Sequence, residues 1–276
     1  MAWVEIEKPF WWDTPLWLAE GVDSVEALHN HLWREGGLDN EAWGRPRDRA
    51  AFPPPQGVGL WTQELLYRML ECGLSPAFTA GSASGVLPNP VGYNRVYAHT
   101  GGDASADGWW RALRAGRTFC TNGPLLLARV DGRLPGATLR GPRSVRVTVR
   151  LLGSTPVARV EVVQNGVVVA SAPPPPSGAE ELIAAVRFDE PGWLLVRAIG
   201  ADRATLRMAT TAPWRLSVPG KPARVSRRAV AFFAEWVEER AAQLLAPSAP
   251  TRASAAVYVE EARRFWRYMA LRANAD

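Results

Sequence analysis

Lysine is nearly absent from this sequence of 276 residues, although arginine is abundant. Only Lys8 and Lys221 are lysines among the 32 basic residues, and the formal net charge is +5. The arginines are scattered and often alternate with apolar residues, as they do over 145–150. Faces that bind nucleic acid cluster their basic residues instead. The charge pattern therefore predicts no nucleic-acid partner.

Cysteine and long apolar runs are scarce as well. Cys72 and Cys120 are too few for a disulfide framework or a cysteine zinc site, so reduced structural thiols are expected. The sequence has no stretch of about eighteen uncharged apolar residues, and it therefore predicts no membrane-spanning helix. Its N-terminus does not show the basic-then-apolar layout of a secretory signal. We therefore expect no membrane partner and a cytoplasmic location.

Glycine, proline and asparagine, by contrast, crowd into residues 79–95, whose sequence is TAGSASGVLPNPVGYNR. These residue types adopt backbone angles that regular helices and strands avoid. An amphipathic helix is predicted before this stretch, over 61–72, and a strand after it, over 95–99. Residues 79–95 form either a shaped loop at a strand end, where α/β proteins place their chemistry, or a surface connection that only needs turns.

The first part of the chain predicts an α/β unit. Short apolar strands alternate there with helices, which is typical of a parallel sheet or a barrel segment. At most about four or five strands are indicated, too few to close an eight-stranded barrel. We therefore predict a partial barrel over residues 1–124, which a second chain could complete.

Two further units are predicted after residue 124. Short strand candidates recur between 125 and 220, and Asn165-Gly166 stands between two apolar runs as a hairpin turn. This unit is predicted to be an all-β, immunoglobulin-like sandwich. The remaining segment, 221–276, is predicted to hold two helices, the first with Ser226 as its N-cap. These helices either pack on the body or mediate formation of a homo-oligomer.

Histidine is rare, but His29 and His31 stand two residues apart. On a strand such a pair points the same way and could bind a divalent metal such as Zn²⁺ or Mn²⁺. Two histidines need carboxylates to complete a site. We predict Asp13 as the third ligand, with Glu5 and Glu26 also near in sequence. The alternative is a polar strand end that binds no metal.

Two familiar catalytic motifs are missing from the sequence. The stretch Gly81–Gly85 looks like a nucleophile elbow, but its central residue is Ala83, which has no nucleophilic atom. The glycine-rich pattern that ends in Gly-Lys-Ser/Thr and cradles phosphates does not occur. The sequence therefore predicts neither a serine nucleophile nor a phosphate-binding loop of that type.

Several segments of the first 126 residues carry a family resemblance. They are KPFWWD at 8–13, WGRPRD at 43–48, TAGSASG at 79–85, NPVGYNRVYAH at 89–99 and WWRALRAGRTFCTNGPLL at 109–126. Together they resemble the C-terminal half of a PHP-superfamily domain of the CehA/McbA (carbaryl-hydrolase-like) type. The resemblance implies a metal-dependent hydrolase fold that acts on or binds a small ester, phosphoester or sugar-like molecule.

The resemblance also implies that the metal site has changed. The family's G-S-D-S-H loop carries a metal-binding Asp and His, where this chain has Ala83 and Gly85. Lys8-Pro9 stands where relatives carry His-Pro, and the family's N-terminal H-x-H would lie upstream of Met1. The family's ligands therefore cannot be assigned to residues here. The loss of this many ligands should abolish an ordinary di- or trinuclear site.

The retained loop predicts a recognition pocket. Trp12 and Tyr93 could stack on a ring, and Arg95 could meet an anionic group through two hydrogen bonds. The predicted ligand-binding residues are Trp12, Ser82, Ser84, Tyr93, Asn94 and Arg95. The alternative function is a non-catalytic binding or assembly module built on the β-sandwich and the C-terminal helices.

Overall fold

A computed structural model describes residues 2–246 and 252–276, which form a mixed α/β protein with five helices. The helices are α1 (Thr14–Glu20), α2 (Gly57–Glu71), α3 (Ala106–Arg114), α4 (Arg227–Leu244) and α5 (Arg252–Arg272). The first strands are β1 (Glu5–Ile6), β2 (Ser24–Leu28), β3 (Leu32–Trp33), β4 (Gly36–Gly37), β5 (Ala77–Ala80), β6 (Arg95–Ala98), β7 (Thr118–Thr121) and β8 (Leu125–Val130). The later strands are β9 (Thr138–Arg140), β10 (Arg143–Leu152), β11 (Val157–Gln164), β12 (Val167–Ala172), β13 (Glu180–Phe188), β14 (Gly192–Gly200), β15 (Met208–Thr211) and β16 (Trp214–Ser217).

A small parallel sheet with the order β1-β2-β5 lies in the N-terminal part. Every residue of β2 is buried, as is usual for a parallel strand that is covered on both faces. Helix α2 packs against β2 and buries the predicted apolar stripe of Leu65, Leu66, Met69 and Leu70. The mixed α/β prediction is confirmed, and the parallel strands of the described residues form an open three-stranded sheet.

A larger, mainly antiparallel sheet crosses the predicted boundary at residue 124. Its strand order is β12-β11-β14-β15-β7-β6, and β16 and β9 join it beside β14. Strand β7 precedes the boundary and β15 follows it, yet Thr121 pairs with Ala209 across them. The units predicted as 1–124 and 125–220 therefore share a hydrogen-bonded sheet.

The later strands enclose an apolar core of their own. A sheet with the order β13-β10-β8 supplies one side, and β11, β14, β15 and β16 of the larger sheet supply the other. Alternate residues of β10, namely Val145, Val147 and Val149, point into this sandwich core. Strands β11 and β12 are joined at Asn165 and Gly166, whose φ angles of 48° and 80° suit the predicted hairpin turn.

The two C-terminal helices complete the apolar core around α1, α2 and the β1-β2-β5 sheet. Ser226 caps α4 as predicted, because its Oγ accepts the Ala229 N–H at 3.3 Å. Trp236 and Trp266 are fully buried, and the Trp266 Nε1 donates to the Pro15 carbonyl at 3.0 Å. Helices α4 and α5 thus pack on α1 and α2. Among the helices of residues 2–246 and 252–276, none combines the length and apolar character needed to cross a membrane.

Candidate functional site

Polar side chains gather where the parallel strands β1, β2 and β5 end. Ligand sites of open α/β sheets lie at the carboxyl ends of their strands, so this edge is where a site is expected. We call this group the strand-end cluster. Its members are Glu7, Lys8, Glu26, Asn30, His31, Thr79, Ser82, Asn89 and Asn94.

Lys8 places a buried cation in the strand-end cluster. Only 6% of this residue is exposed, and its Nζ lies 2.8 Å from Glu7 Oε1. The same carboxylate oxygen accepts a hydrogen bond of 3.0 Å from Asn30 Nδ2. The ammonium group also lies 4.6 Å from the centre of the Trp11 ring. A buried ammonium needs such partners, and these fix its position.

Glu26 is the second buried ionisable group of the cluster. It lies on β2 opposite Thr79, and its carboxyl group fills the space beside the Cα of Gly81, where any Cβ would overlap Oε1. Oε2 is buried and has no hydrogen-bond partner within the described residues. Burial, reinforced by Glu5 and Glu7, raises the pKa of Glu26 well above its usual value. Burial therefore favours the protonated, neutral form of this carboxyl group.

His29 is a structural residue with both ring nitrogens engaged. Thr62 donates its hydroxyl proton to the Val58 carbonyl at 3.0 Å, so its Oγ1 accepts from His29 Nε2 at 2.8 Å. The His31 N–H donates to His29 Nδ1 at 3.3 Å. Complete burial lowers the pKa of His29 well below its usual value, which keeps the ring neutral.

His31 is also neutral but keeps one nitrogen available. Its Nδ1 lies 2.9 Å from the Asn40 carbonyl oxygen, which can only accept, so the proton is on Nδ1. Burial is the main cause that lowers the pKa of His31 to about 4. The Nε2 atom is consequently a proton acceptor at neutral pH.

The predicted metal site of Asp13, His29 and His31 is not formed. Both carboxylate oxygens of Asp13 are held by Arg240, with Nε–Oδ1 at 2.6 Å and Nη2–Oδ2 at 3.1 Å. His29 has no free nitrogen. Across residues 2–246 and 252–276, no group of three or more His, Cys, Asp or Glu side chains could hold a metal ion. The donors present therefore do not fit the divalent metal that the family resemblance implies.

Two predicted ligand-binding residues, Ser82 and Asn94, brace the 79–95 loop from inside. Asn94 Nδ2 lies within 3.1–3.2 Å of the carbonyl oxygens of His29, Leu32 and Gly81. Ser82 Oγ accepts the Asn94 N–H at 2.8 Å. Both side chains are buried. These hydrogen bonds give the loop a defined shape at the end of β5, as one of the two interpretations of its sequence predicted.

The other predicted ligand-binding residues lie apart from one another. Tyr93 donates its hydroxyl to the Trp33 carbonyl at 3.0 Å, and Arg95 donates to carbonyl oxygens of Tyr93 and Gly123. Ser84 is exposed on the loop. Trp12 lies by a separate cavity beside α2 and α4. The structure therefore does not bring the six residues into a single pocket.

Several oxygens of the strand-end cluster are buried without a hydrogen-bond partner in the described part of the chain. They are Glu26 Oε2, Asn30 Oδ1, Thr79 Oγ1, Asn89 Oδ1 and Asn94 Oδ1. Such groups cost free energy unless a ligand or water completes them. The sequence interpretation did not assign Glu7, Lys8, Asn30 or Asn89 to a site. Glu7 and Lys8 follow β1 directly, which was an available signal, whereas Asn30 and Asn89 had no such signal in the sequence.

Comparisons with known proteins add little to this geometry. No family model and no curated protein matches the chain. Among solved structures, fibronectin(III)-like modules of Clostridium thermocellum CbhA are 20% identical, and the match covers 33% of this chain and 94% of that chain. The TM-score of 0.24 is too low for this likeness to support an argument about fold or function.

Proposed function

We propose that this protein is a relative of the PHP-type, CehA/McbA-like hydrolases with a degenerate metal site, and that its strand-end cluster binds a small hydroxyl-bearing ester or phosphoester. The sheet β1-β2-β5 is then a remnant of the PHP barrel, and β8–β16 form an immunoglobulin-like sandwich. Support comes from the segments over 8–126 that resemble this family and from the position of the cluster at the carboxyl ends of parallel strands.

The observation that carries the proposal is the buried cation beside incompletely bonded oxygens. Lys8 is the group suited to an ester or phosphoryl oxygen, since an ammonium has three donors and Glu7 accepts one of them. Hydroxyl groups of the ligand would donate to the buried oxygens of Asn30 and Asn89, which lack donors among the described residues. A ligand with both features would complete the cluster.

The same cluster contains a buried carboxyl group and a neutral imidazole. Burial raises the pKa of Glu26 and so favours its protonated form, and a neutral carboxyl group can donate a hydrogen bond. His31 Nε2 is unprotonated because burial lowers the pKa of this histidine to about 4. Hydrolysis of the bound ester therefore needs to be measured together with binding.

The test uses the two lysines of the chain as a matched pair. Titration of p-nitrophenyl phosphate and glycerol 1-phosphate, followed by calorimetry at pH 7, should show saturable binding to the wild type. Lys8→Met should weaken binding at least about tenfold, because it removes the cation but keeps the length of the side chain. Lys221→Met changes an exposed lysine that pairs with Glu190, and it should bind as the wild type does.

Two outcomes would contradict the proposal. One is the lack of saturable binding by any ester or phosphoester probe to folded wild-type protein. The other is equal affinity of the wild type and Lys8→Met, with circular dichroism showing that both are folded. Release of p-nitrophenol by the wild type would extend the proposal from binding to catalysis.

Assembly through the C-terminal helices stays a prediction. The inner face of α5 packs into the core, whereas Val257, Tyr268 and Leu271 on its outer face are 59%, 55% and 87% exposed. These exposed residues are the observation that favours a homo-oligomer as the second candidate function.

A further inference from the structure

A cavity of about 500 Å³ lies between residues 45–52, α2 and α4, and none of its lining residues belongs to the strand-end cluster. Its walls include Trp12, Arg45, Phe52, Trp61, Phe232 and Glu239. The volume falls in the range of small-molecule sites. Trp12 was predicted from the sequence to stack on a ligand, and it is in this cavity that the structure places it.

The loop that forms one wall of the cavity is held in place by hydrogen bonds and ion pairs. Arg47 is buried, donates to the Phe52 carbonyl at 2.8 Å and pairs with Asp39 and Glu41. Gly44 touches Phe10 so closely that a Cβ would overlap its carbonyl oxygen. Backbone hydrogen bonds then join this loop to the segment that carries Trp12. The cavity is therefore present before any ligand binds.

Aromatic rings form a continuous apolar wall. Phe52 and Trp61 have ring centres 5.3 Å apart, and Trp61 and Phe232 have ring centres 6.0 Å apart. The guanidinium groups of Arg45 and Arg68 lie 4.6 Å and 4.3 Å from the centre of the Phe232 ring. These stacked groups hold the wall in place and leave ring surface for an apolar face of a ligand.

Hydrogen-bond donors and acceptors both lie beside this aromatic wall. Glu239 accepts from Arg45 Nε and Nη2, at 2.7 Å each, and it is a carboxylate acceptor on the cavity rim. The guanidinium of Arg45 is a donor group that lines the cavity beside this acceptor. Arg45 pairs with Glu239 and Arg68 pairs with Glu64, so the guanidinium charges are already balanced. A neutral ligand is favoured over an anion.

We propose that this cavity is a binding site for a neutral sugar ring. A pyranose has an apolar C–H face that fits against aromatic rings and hydroxyl groups that both donate and accept. Its hydroxyl groups would accept from the guanidinium of Arg45 and would donate to the carboxylate of Glu239, which both line the cavity. This site is independent of the function proposed for the strand-end cluster.

The experiment titrates the full chain with methyl glucoside, methyl mannoside and methyl galactoside, observed by saturation-transfer NMR and calorimetry. We expect at least one of these glycosides to bind, and glucuronate, an anionic analogue, to bind more weakly than the parent sugar. Trp12→Ala should reduce the affinity about tenfold or more. Trp43→Ala is the matched control, because Trp43 is 84% exposed and lies outside the cavity.

A second variant covers the case in which Trp12→Ala fails to fold. Glu239→Gln keeps the shape of the side chain, removes an acceptor charge and should lower the affinity severalfold. Lys8→Met should leave sugar binding unchanged, which separates this site from the strand-end cluster. The proposal is overturned if no neutral glycoside binds, if glucuronate binds more tightly than the parent sugar, or if the folded cavity variants bind like the wild type.

Discussion

The strand-end cluster and the sandwich core are both buried, but their chemistry is opposite. In the sandwich core, β10 points Val145, Val147 and Val149 inward and meets apolar residues of the facing sheet. In the cluster, the buried strand β2 carries Glu26 at a position where a parallel sheet usually has an aliphatic residue. The sandwich core stabilises the fold, whereas the strand-end cluster contains polar groups whose burial costs free energy.

The difference teaches where function is to be sought in this molecule. Apolar burial contributes about 25 cal/mol per Å² removed from water, so the sandwich core stabilises the fold directly. A buried carboxyl oxygen without a partner, such as Glu26 Oε2 in the described residues, opposes folding. Natural proteins break such local rules mainly at functional sites, and this favours the cluster as a site.

The largest effect is expected from the sandwich core. Trp214 is fully buried there, and its Nε1 donates to the Arg133 carbonyl at 3.2 Å. Trp214→Ala leaves a cavity and an unpaired carbonyl, and it should lower the free energy of unfolding by about 3–5 kcal/mol. Urea unfolding followed by circular dichroism measures the loss. A loss below about 1 kcal/mol would contradict the assignment of this tryptophan to the core.

Local patterns predicted much of the fold. The strand candidates predicted between 125 and 220 include β11 (Val157–Gln164), which ends at the predicted Asn165-Gly166 turn. The helix predicted over 61–72 is α2, which begins four residues earlier at Gly57. The pairing of β7 with β15 was not predicted, since it joins residues about ninety positions apart and no local pattern encodes it.

The site was harder to predict for the same reason. Asp13 was assigned to a metal because His29 and His31 are near in sequence, but its partner is Arg240, 227 residues away. The sequence did not show that the Nε2 atom of His29 would form a hydrogen bond with Thr62 on α2. The strand predicted over 22–31 ends three residues earlier, at Leu28, and the hydrogen-bond partners beyond it depend on tertiary packing.

A smaller effect is expected from Gly81, which links the loop to Glu26. A Cβ at this position would overlap Glu26 Oε1, and Glu26 is itself buried. Gly81→Ala should therefore lower the free energy of unfolding by about 1–3 kcal/mol, the usual cost of overpacking. Urea unfolding gives the value. Adding Glu26→Ala to this variant should recover part of the loss, because the overlap disappears.

Gly85 provides the control for this prediction. It lies on the same loop with a φ of 91° and open space around its Cα, so Gly85→Ala tests backbone strain without overlap. Adding Glu26→Ala to Gly85→Ala should therefore give additive effects. Equal coupling of both glycines to Glu26 would refute the contact between Gly81 and Glu26.

The smallest effect is a pH dependence that the sandwich core cannot show. The folded-state pKa of Glu26 is raised above 4.5 by burial, so its contribution to stability is complete at low pH and is lost as the pH rises through the folded pKa. The lowered pKa of His31, about 4, acts in the opposite sense and only up to about pH 6.5. Glu26→Gln should remove a decline in unfolding free energy that begins near pH 4.5 and ends at the folded-state pKa of Glu26, with a slope of at most roughly 1.4 kcal/mol per pH unit. Urea unfolding of both proteins between pH 4.5 and 8.5 tests this, and parallel pH profiles would mean that the pKa of Glu26 is not raised in the folded protein.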